Sequence, residues 1–479
     1  MAPDGIRVAL SLPQHGSKDD QKGDSSMTTS GIRLAGLFLL LLLLVPWGAA
    51  AQKADGFRIE TITVEGGRRA ATQGIVVTES QLTTGKAWSE RELQEAVYRI
   101  RRLPFIVRAD FTLRRGTSRG LYELVITVEE TRPFFFSVDT ELFSVAQETA
   151  ARSLGYAGST TYLKSSGTAG ARLFAGAHDV LFGLVDSNAG LEAGYTHYGL
   201  FGRGGSVTFS VARHLFCCQY EAVPLGLDPD LVTWSTKNGT SAAASVTVPL
   251  AGNQSLRVAA SWSRREPSSR LGLLTSSLDE SQSFGANESW TSRQGEIKWF
   301  YDTADDPLFP SRGVTFSGGV ELADLAAPVR QPGSSYRDNL VQQSRSRQAA
   351  LAAAGRRSWS LSPGQTLSFG GRLALGRSRI EHLLTPDRVL QEAVDLDTLE
   401  ASVDARYSAA LWGWEKIREL GDLRFELGAR YGYESTSPHF AGVGGPVRQL
   451  TAGPSIVFRN GWGVFRFGFS YLNFQRSKP

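Results

Sequence analysis

The chain has 479 residues, more than one ordinary core needs and enough for two domains. Charged residues make up 20% and apolar residues 41%, and the formal net charge of +4 is spread along the chain, which excludes a nucleic-acid footprint. Composition favours many turns and interfacial aromatic girdles, with 51 Gly, 25 Phe, 13 Tyr and 10 Trp. The two cysteines, Cys217 and Cys218, are adjacent and cannot staple distant segments.

Residues 37–45 form a short run of Leu, Phe and Val. Arg33 precedes it and Pro46-Trp47-Gly48-Ala49-Ala50-Ala51 follows it. A basic flank, a short apolar core and small residues make a secretory signal, with cleavage expected before Gln52 and no cysteine there to take a lipid. The run is too short to cross a bilayer as a helix. Residues 1–51 are therefore set apart as a signal segment, with Met27 as a second candidate start. No long apolar stretch appears after it, so a membrane protein with this sequence must cross as a closed β-barrel, the architecture that pairs every backbone group without apolar helices.

Residues 56–131 read as a small α/β domain. Phe57 to Val64 is a strand, ended by Gly66-Gly67, and Ile75 to Leu82 is a short helix. Ser89-Glu90-Arg91-Glu92 is a capping box. Leu93, Ala96, Val97 and Ile100 then recur at helical spacing. Strands are expected over Phe105–Leu113 and Leu121–Val128, joined by a turn at 116–120. Arg91, Arg99, Arg101 and Arg102 read as a solvated basic face.

Residues 132–479 show repeated period-two alternation. Leu423, Phe425, Leu427, Ala429, Tyr431 and Tyr433 face one way, and Arg424, Glu426, Arg430 and Glu434 the other. Leu256, Val258, Ala260 and Trp262 alternate with Arg257, Ala259, Ser261 and Ser263, and Leu399 to Tyr407 behaves alike. The segments are long enough to cross a membrane tilted, and opposite charges such as Asp404/Arg406 and Arg424/Glu426 on the polar face suit a wet lumen. Connections alternate in length. Short ones lie at Gly204-Gly205, 251–254, 362–364 and 412–420, long polar ones near 214–240, 265–289, 324–347, 377–398 and 434–449. The pattern places about 12 strands from Leu191 onward and several more over 134–190, an antiparallel transmembrane β-barrel of about 16 strands, an even number. The turn Asn460-Gly461 sends the last strand, Val464–Phe474, toward the long-loop side, whereas an even barrel would return the carboxyl terminus to the short-turn side.

The order β-α-α-β-β over residues 56–131 resembles a POTRA domain. The likeness is carried by Ile59-x-x-Ile62-x-Val64-x-Gly66, Gly85, Arg102-Leu103-Pro104-Phe105 and Val125-Ile126-Thr127-Val128-Glu129-Glu130. Tyr301-Asp302-Thr-Ala-Asp305-Asp306-Pro307-Leu-Phe-Pro310-Ser-Arg-Gly313 looks like the turn between two barrel strands of the BamA/TamA outer-membrane assembly superfamily, the bacterial surface antigen family. Physically it is a tight turn in which Asp side chains cap amides, prolines fix φ and Gly313 permits positive φ. Leu200-Phe201-Gly202-Arg203-Gly204 resembles a second family turn. Members usually carry a Val-Arg-Gly-Phe/Tyr motif on a lumenal loop. Residues 377–396 lack it, with Arg388 the candidate for that role, and this chain has one POTRA-like domain where assembly members have several.

The resemblance implies an outer-membrane barrel with its N-terminal domain in the periplasm, assisting insertion of proteins by holding client strands through β-augmentation. The implied partners are outer-membrane lipids, unfolded outer-membrane or secreted polypeptides, and periplasmic accessory proteins, with no nucleic acid. A polypeptide or lipid translocation pore and a structural surface barrel are the alternatives. There is no Gly-x-Ser-x-Gly elbow, His-Glu-x-x-His or phosphate loop, and His15, His178, His197, His214, His382 and His439 are scattered. No enzyme activity, cofactor or metal is expected.

Overall fold

The computed structural model describes residues 56–67, 69–146, 159–186, 190–202, 204–214, 217–221, 233–236, 239–250, 252–265, 290–330, 341–383, 392–411, 422–437 and 447–476. The expected signal segment, Arg388 and residues 412–420 lie outside them.

The N-terminal part forms β1 (Phe57–Glu65), α1 (Ala70–Ser80), β2 (Ala87–Trp88), α2 (Glu90–Arg101), β3 (Ile106–Arg115) and β4 (Leu121–Glu130). The sheet order is β2-β1-β4-β3, with β1 parallel to β4 and β3 antiparallel to it. α2 starts where its capping box requires. The Ser89 hydroxyl accepts from the Glu92 amide, and the Glu92 carboxylate accepts from the Ser89 amide at 2.8 Å. Its apolar face, Leu93, Ala96, Val97 and Ile100, is buried with Ile59, Ile75, Val76, Phe105, Leu124 and Ile126. α1 begins five residues before the expected Ile75. Its N-cap is Arg69, whose side chain makes no cap bond, and Gly74 interrupts its second turn, so neither usual start signal is present. α1 ends at Gln81, in the left-handed region at φ 58°.

The remainder is a closed barrel. Its strands are β5 (Phe134–Ala146), β6 (Ser159–Ala175), β7 (Asp179–Asp186), β8 (Gly190–Tyr198) and β9 (Ser206–His214), then, after the hairpin β10 (Cys217–Glu221) and β11 (Thr233–Thr236), β12 (Gly239–Pro249), β13 (Gln254–Arg265), β14 (Trp290–Asp302), β15 (Gly313–Arg330), β16 (Val341–Ser362), β17 (Gln365–Leu383), β18 (Glu392–Ala410), β19 (Asp422–Ser437), β20 (Val447–Asn460) and β21 (Gly463–Arg476). Among the described residues β10 and β11 pair only with each other, and β9 continues the barrel directly to β12.

Fifteen described strands close the barrel, twelve of them from Gly190 onward. The count is odd. The first and last strands therefore run the same way, and β5 and β21 close the ring as a parallel pair, in register from Phe136↔Gly463 to Ala146↔Asn473. That explains the direction of the last strand without reassigning any connection. β21 does run to the long-loop end, and the described strands do not return to the short-turn end.

One outer-face row shows why the barrel suits lipid. Val258, Ile297, Val320, Leu351, Leu375 and Leu399 stand directly opposite one another across six strands, and the first five are exposed. Facing inward beside them, Lys298 pairs with Glu296 at 2.7 Å and with Glu321 at 2.6 Å. Farther round the lumen Arg356 pairs with Asp404 at 2.8 Å, and Glu426 sits between Arg406 and Arg466 at 3.7 and 3.5 Å. Apolar outside and ionic inside is the inverse of a soluble protein, and it is the arrangement of a membrane-spanning barrel. Among the described residues no helix is long and apolar enough to cross a membrane.

Two expected loops are mostly strand. β15 and β16 pair up to Arg330↔Val341, and β17 and β18 up to His382↔Glu392. Their polar residues read as loop, but cross-strand ion pairs extend the ladder past the apolar band. Arg345 grips Asp324 with two hydrogen bonds (2.8 and 2.6 Å), and Arg377 bonds Asp395 at 3.2 Å.

Candidate functional site

The described short connections lie at one end of the barrel, and the α/β module sits against that end. Its apolar core does not stop at its own boundary. Phe105, 1% exposed, meets the rings of Phe174 and Tyr198 edge-on at 5.1 and 5.8 Å, and Val180 and Tyr198 of the barrel belong to the same buried cluster. α1 approaches the turn after β6 so closely that a Cβ on Gly74 would lie 2.7 Å from the Ala177 carbonyl oxygen. The glycine that obscures the helix in the sequence is what lets the two backbones meet.

The β14–β15 connection is the second anchor, and two of its aspartates, Asp302 and Asp306, do two jobs each. Asp302 accepts from the Ala304 amide (2.9 Å) and pairs with Arg102 Nε at 2.9 Å. Asp305 accepts from the amides of Ser311 (2.8 Å) and Arg312 (3.2 Å) and from the Ser311 hydroxyl. Asp306 accepts from the amides of Leu308 and Phe309, both at 2.9 Å, while Arg459 of β20 grips both its oxygens at 3.0 and 2.8 Å. The Arg459 and Asp306 side chains are only 12% and 13% exposed, and the hydrogen bonds from Arg459 hold the Asp306 carboxyl below its ordinary range despite burial. Gly313 closes the turn at φ 114°, where a Cβ would strike the Thr303 carbonyl oxygen. Tyr301 stacks on Trp299 (6.4 Å between centroids); Pro307 is exposed and Pro310 half-buried. Phe309 is buried beneath the guanidinium groups of Arg424 and Arg459, 4.9 and 5.2 Å from its ring centre.

The module reaches this turn through arginines that the sequence suggested were a solvated face. Arg102 Nη2 donates to the Asp302 and Ala304 carbonyls at 2.7 and 3.3 Å, and Arg101 Nη1 donates to the Asp305 carbonyl at 3.1 Å. Arg99 donates to the Ser80 carbonyl at 2.6 Å, capping the last turn of α1. Only Arg91 is mainly solvated, paired with Glu95 one helical turn on. The clamp is completed from the barrel side by Arg312, which donates to the Tyr98 hydroxyl at 2.8 Å, and from β3 by Arg108, which bonds Asp422 at 2.7 Å. Arg101, Arg102, Arg108 and Tyr98 were not legible as partners of the barrel, because their partners lie some 200 or more positions away in sequence.

The β8–β9 turn gives a third anchor. Its Gly205 amide donates to Glu79 of α1, whose carboxyl is pushed up to about 7 by burial, offset by that amide and by Arg99. Nearby on the outer rim, the Tyr195 hydroxyl donates to Asp179 at 2.5 Å and His197 Nδ1 lies 2.8 Å from the same oxygen. Among the described residues no group of three or more His, Cys, Asp or Glu is placed to hold a metal ion. The arrangement is a mechanical joint with hydrogen-bonding and ionic contacts.

No protein-family model matches the sequence, and no curated protein matches it. Among solved structures, the fold is similar to BamA from Haemophilus ducreyi lacking POTRA domains 1–3, at 10% identity and TM-score 0.41, covering 88% of this chain and 82% of that one. It is also similar to CdiB from Acinetobacter baumannii (10% identity, TM-score 0.37, 88% and 74% covered) and CdiB from Escherichia coli (11%, 0.36, 86% and 72%).

Two outcomes follow from this joint. Asp306→Ala strands Arg459 in a nearly closed site and frees two turn amides, so a denaturant titration in vesicles should show a loss of about 3–5 kcal/mol. The second concerns pH. Glu79 binds its proton more tightly when docked than the ordinary carboxyl value near 4.5 allows, so docking is strongest below that pH. It should weaken as pH rises through the window up to about 7 and level off above it. Glu79→Gln should flatten this dependence, read as the melting temperature of the full chain between the two limits.

Proposed function

We propose that the protein is an outer-membrane barrel that assists the insertion of other polypeptides into the outer membrane. Its N-terminal module stands in the periplasm and presents client strands at the barrel's short-turn end. The observation that carries this reading is the edge of β1. Among the described residues its outer side is paired only near its start, by the two-residue strand β2 at Phe57↔Trp88 and Arg58↔Ala87 and by Gly85 and Lys86 at Ile59. The stretch Thr61–Glu65 has no further strand beside it. An open edge accepts an extended chain by main-chain hydrogen bonds, tolerating many sequences. The clamp on the 302–313 turn holds that edge in a fixed position relative to the barrel, so a bound strand is delivered to the membrane and not merely captured. The motif resemblance over Tyr301–Gly313 and over residues 56–131 supports the same reading. No covalent chemistry is involved.

A translocation pore is the second reading. It is favoured by the ion-paired lumen of Lys298, Glu296, Glu321, Arg356 and Asp404, which a hydrated chain can wet.

The discriminating experiment measures the folding rate of an unfolded barrel client into phosphatidylcholine vesicles that contain the full chain. Acceleration is expected, and it should vanish when a chain lacking residues 56–131, shown to be folded, replaces the full one. No acceleration by the folded full chain would sink the insertion reading and leave transport or a surface role.

A further inference from the structure

The two rims of the barrel carry different chemistry on their outer faces. At the module end the outward residues include clusters of aromatic rings. Trp299 packs against Tyr301 and Phe316, and Phe458 stacks on Phe465 at 4.5 Å. At the loop end they are arginines. The outward row Val258, Ile297, Val320, Leu351, Leu375 and Leu399 is wholly apolar. Four residues along the strands, the aligned row reads Trp262, Arg293, Asp324, Arg347, Arg379 and Asp395. One step farther, Arg213, Thr240, Arg264, Thr291, Ala326 and Arg345 are aligned, with Glu381 opposite Arg345.

Arg347 and Arg379 stand directly opposite each other on the outer face, and both are exposed. Like charges at such a position repel across about 5 Å. Asp324 and Asp395, aligned with them across the strands, are each shared with a further arginine. Asp324 takes both hydrogen bonds of Arg345, and Asp395 takes one from Arg377. Asp397 lies 3.9 Å from Arg377. Among the described residues of these two rows, six arginines (Arg213, Arg264, Arg293, Arg345, Arg347 and Arg379) stand with three carboxylates, Asp324, Glu381 and Asp395, a net positive count. This belt lies where the apolar band ends, at headgroup height, and Trp262 in the same row is the kind of aromatic that anchors that level. A planar guanidinium pair with a cation excess at a membrane surface matches a phosphate, which it can hold by two parallel N–H···O bonds.

We propose that this arginine belt on β13–β17 binds phosphate groups of lipid headgroups in the leaflet at the loop end of the barrel. The proposal rests on the membrane-spanning reading of the barrel and not on any insertion activity. It makes the lipid of that leaflet a specific ligand of this wall, and it gives the extended β15–β18 ladder a purpose beyond the apolar band.

The test folds the full chain into phosphatidylcholine vesicles carrying a trace of spin-labelled phosphatidic acid or spin-labelled phosphatidylcholine. Electron spin resonance then reads the fraction of each held at the protein perimeter. The phosphate monoester lipid is expected to be preferred by roughly threefold or more. The preference should fall to parity in Arg347→Gln/Arg379→Gln and partly in Arg293→Gln, each with unchanged barrel circular dichroism. Arg357→Gln, beside Trp359 at the module end, should keep it. Equal uptake of both lipids by the folded wild type, or retention of the preference by the double variant, would overturn the proposal. So would its complete displacement by inorganic phosphate, which would indicate a site for the free anion. A chain that does not enter the vesicles contradicts the membrane reading as well.

Discussion

Everything at the short-turn end depends on one shared apolar core. Phe105 belongs to the module by sequence and to the barrel by contact, wedged against Phe174 and Tyr198. Burial of an aromatic of this size contributes about 2–3 kcal/mol, and it has no direction of its own. Direction comes from the polar contacts around it, which accept only one placement. Arg101 and Arg102 meet carbonyls and a carboxylate of the 302–313 turn, Arg312 meets Tyr98, and Gly205 meets Glu79. The turn can serve as a socket because its own aspartates fix its backbone first. Asp305 and Asp306 satisfy four amides between them, so the carbonyls that face the module are already in place.

The odd strand count is the second constraint. An alternating chain of fifteen strands must close with parallel neighbours, and a parallel ladder has slanted bonds and slightly less stability per residue than an antiparallel one. The linker reinforces that seam at the module end. The Arg132 amide donates to the Gly461 carbonyl at 2.7 Å, and its guanidinium lies 3.9 Å from the centre of the Trp462 ring. The module thus braces the seam as well as the mouth, through the three residues that join it to β5.

Much of this was legible in the sequence. The capping box placed α2, the period-two segments placed the twelve barrel strands from Gly190 onward, and the alternation of short and long connections separated the two ends. What could not be read had identifiable causes. Gly74 and the uncapped Arg69 concealed the start of α1, because the glycine serves a contact with Ala177 and not the helix. The strands over 324–330 and 341–347 read as loop, because ion pairs such as Arg345–Asp324 replace apolar residues beyond the lipid. The expected even count near sixteen was not met: the direction of the last strand already conflicted with it, but parallel closure leaves no local pattern that would resolve the conflict. At the site, Asp302, Asp305 and Gly313 were recognisable as turn chemistry, but Arg102 and Arg459 were not. A partner supplied from a distant strand leaves no trace in the spacing of the turn itself.

The central claim is that the module is clamped rigidly across the short-turn mouth. Its most direct test is a distance. Spin labels at Ser118, in the β3–β4 turn, and at Ser362, at the end of β16, would be introduced into a chain with Cys217 and Cys218 replaced by serine, folded in vesicles. Pulsed dipolar spectroscopy should give one narrow distance distribution, as a joint of shared core and arginine clamp requires. A broad or multimodal distribution would show a module that swings free of the barrel, and the clamp would then not be what positions the β1 edge.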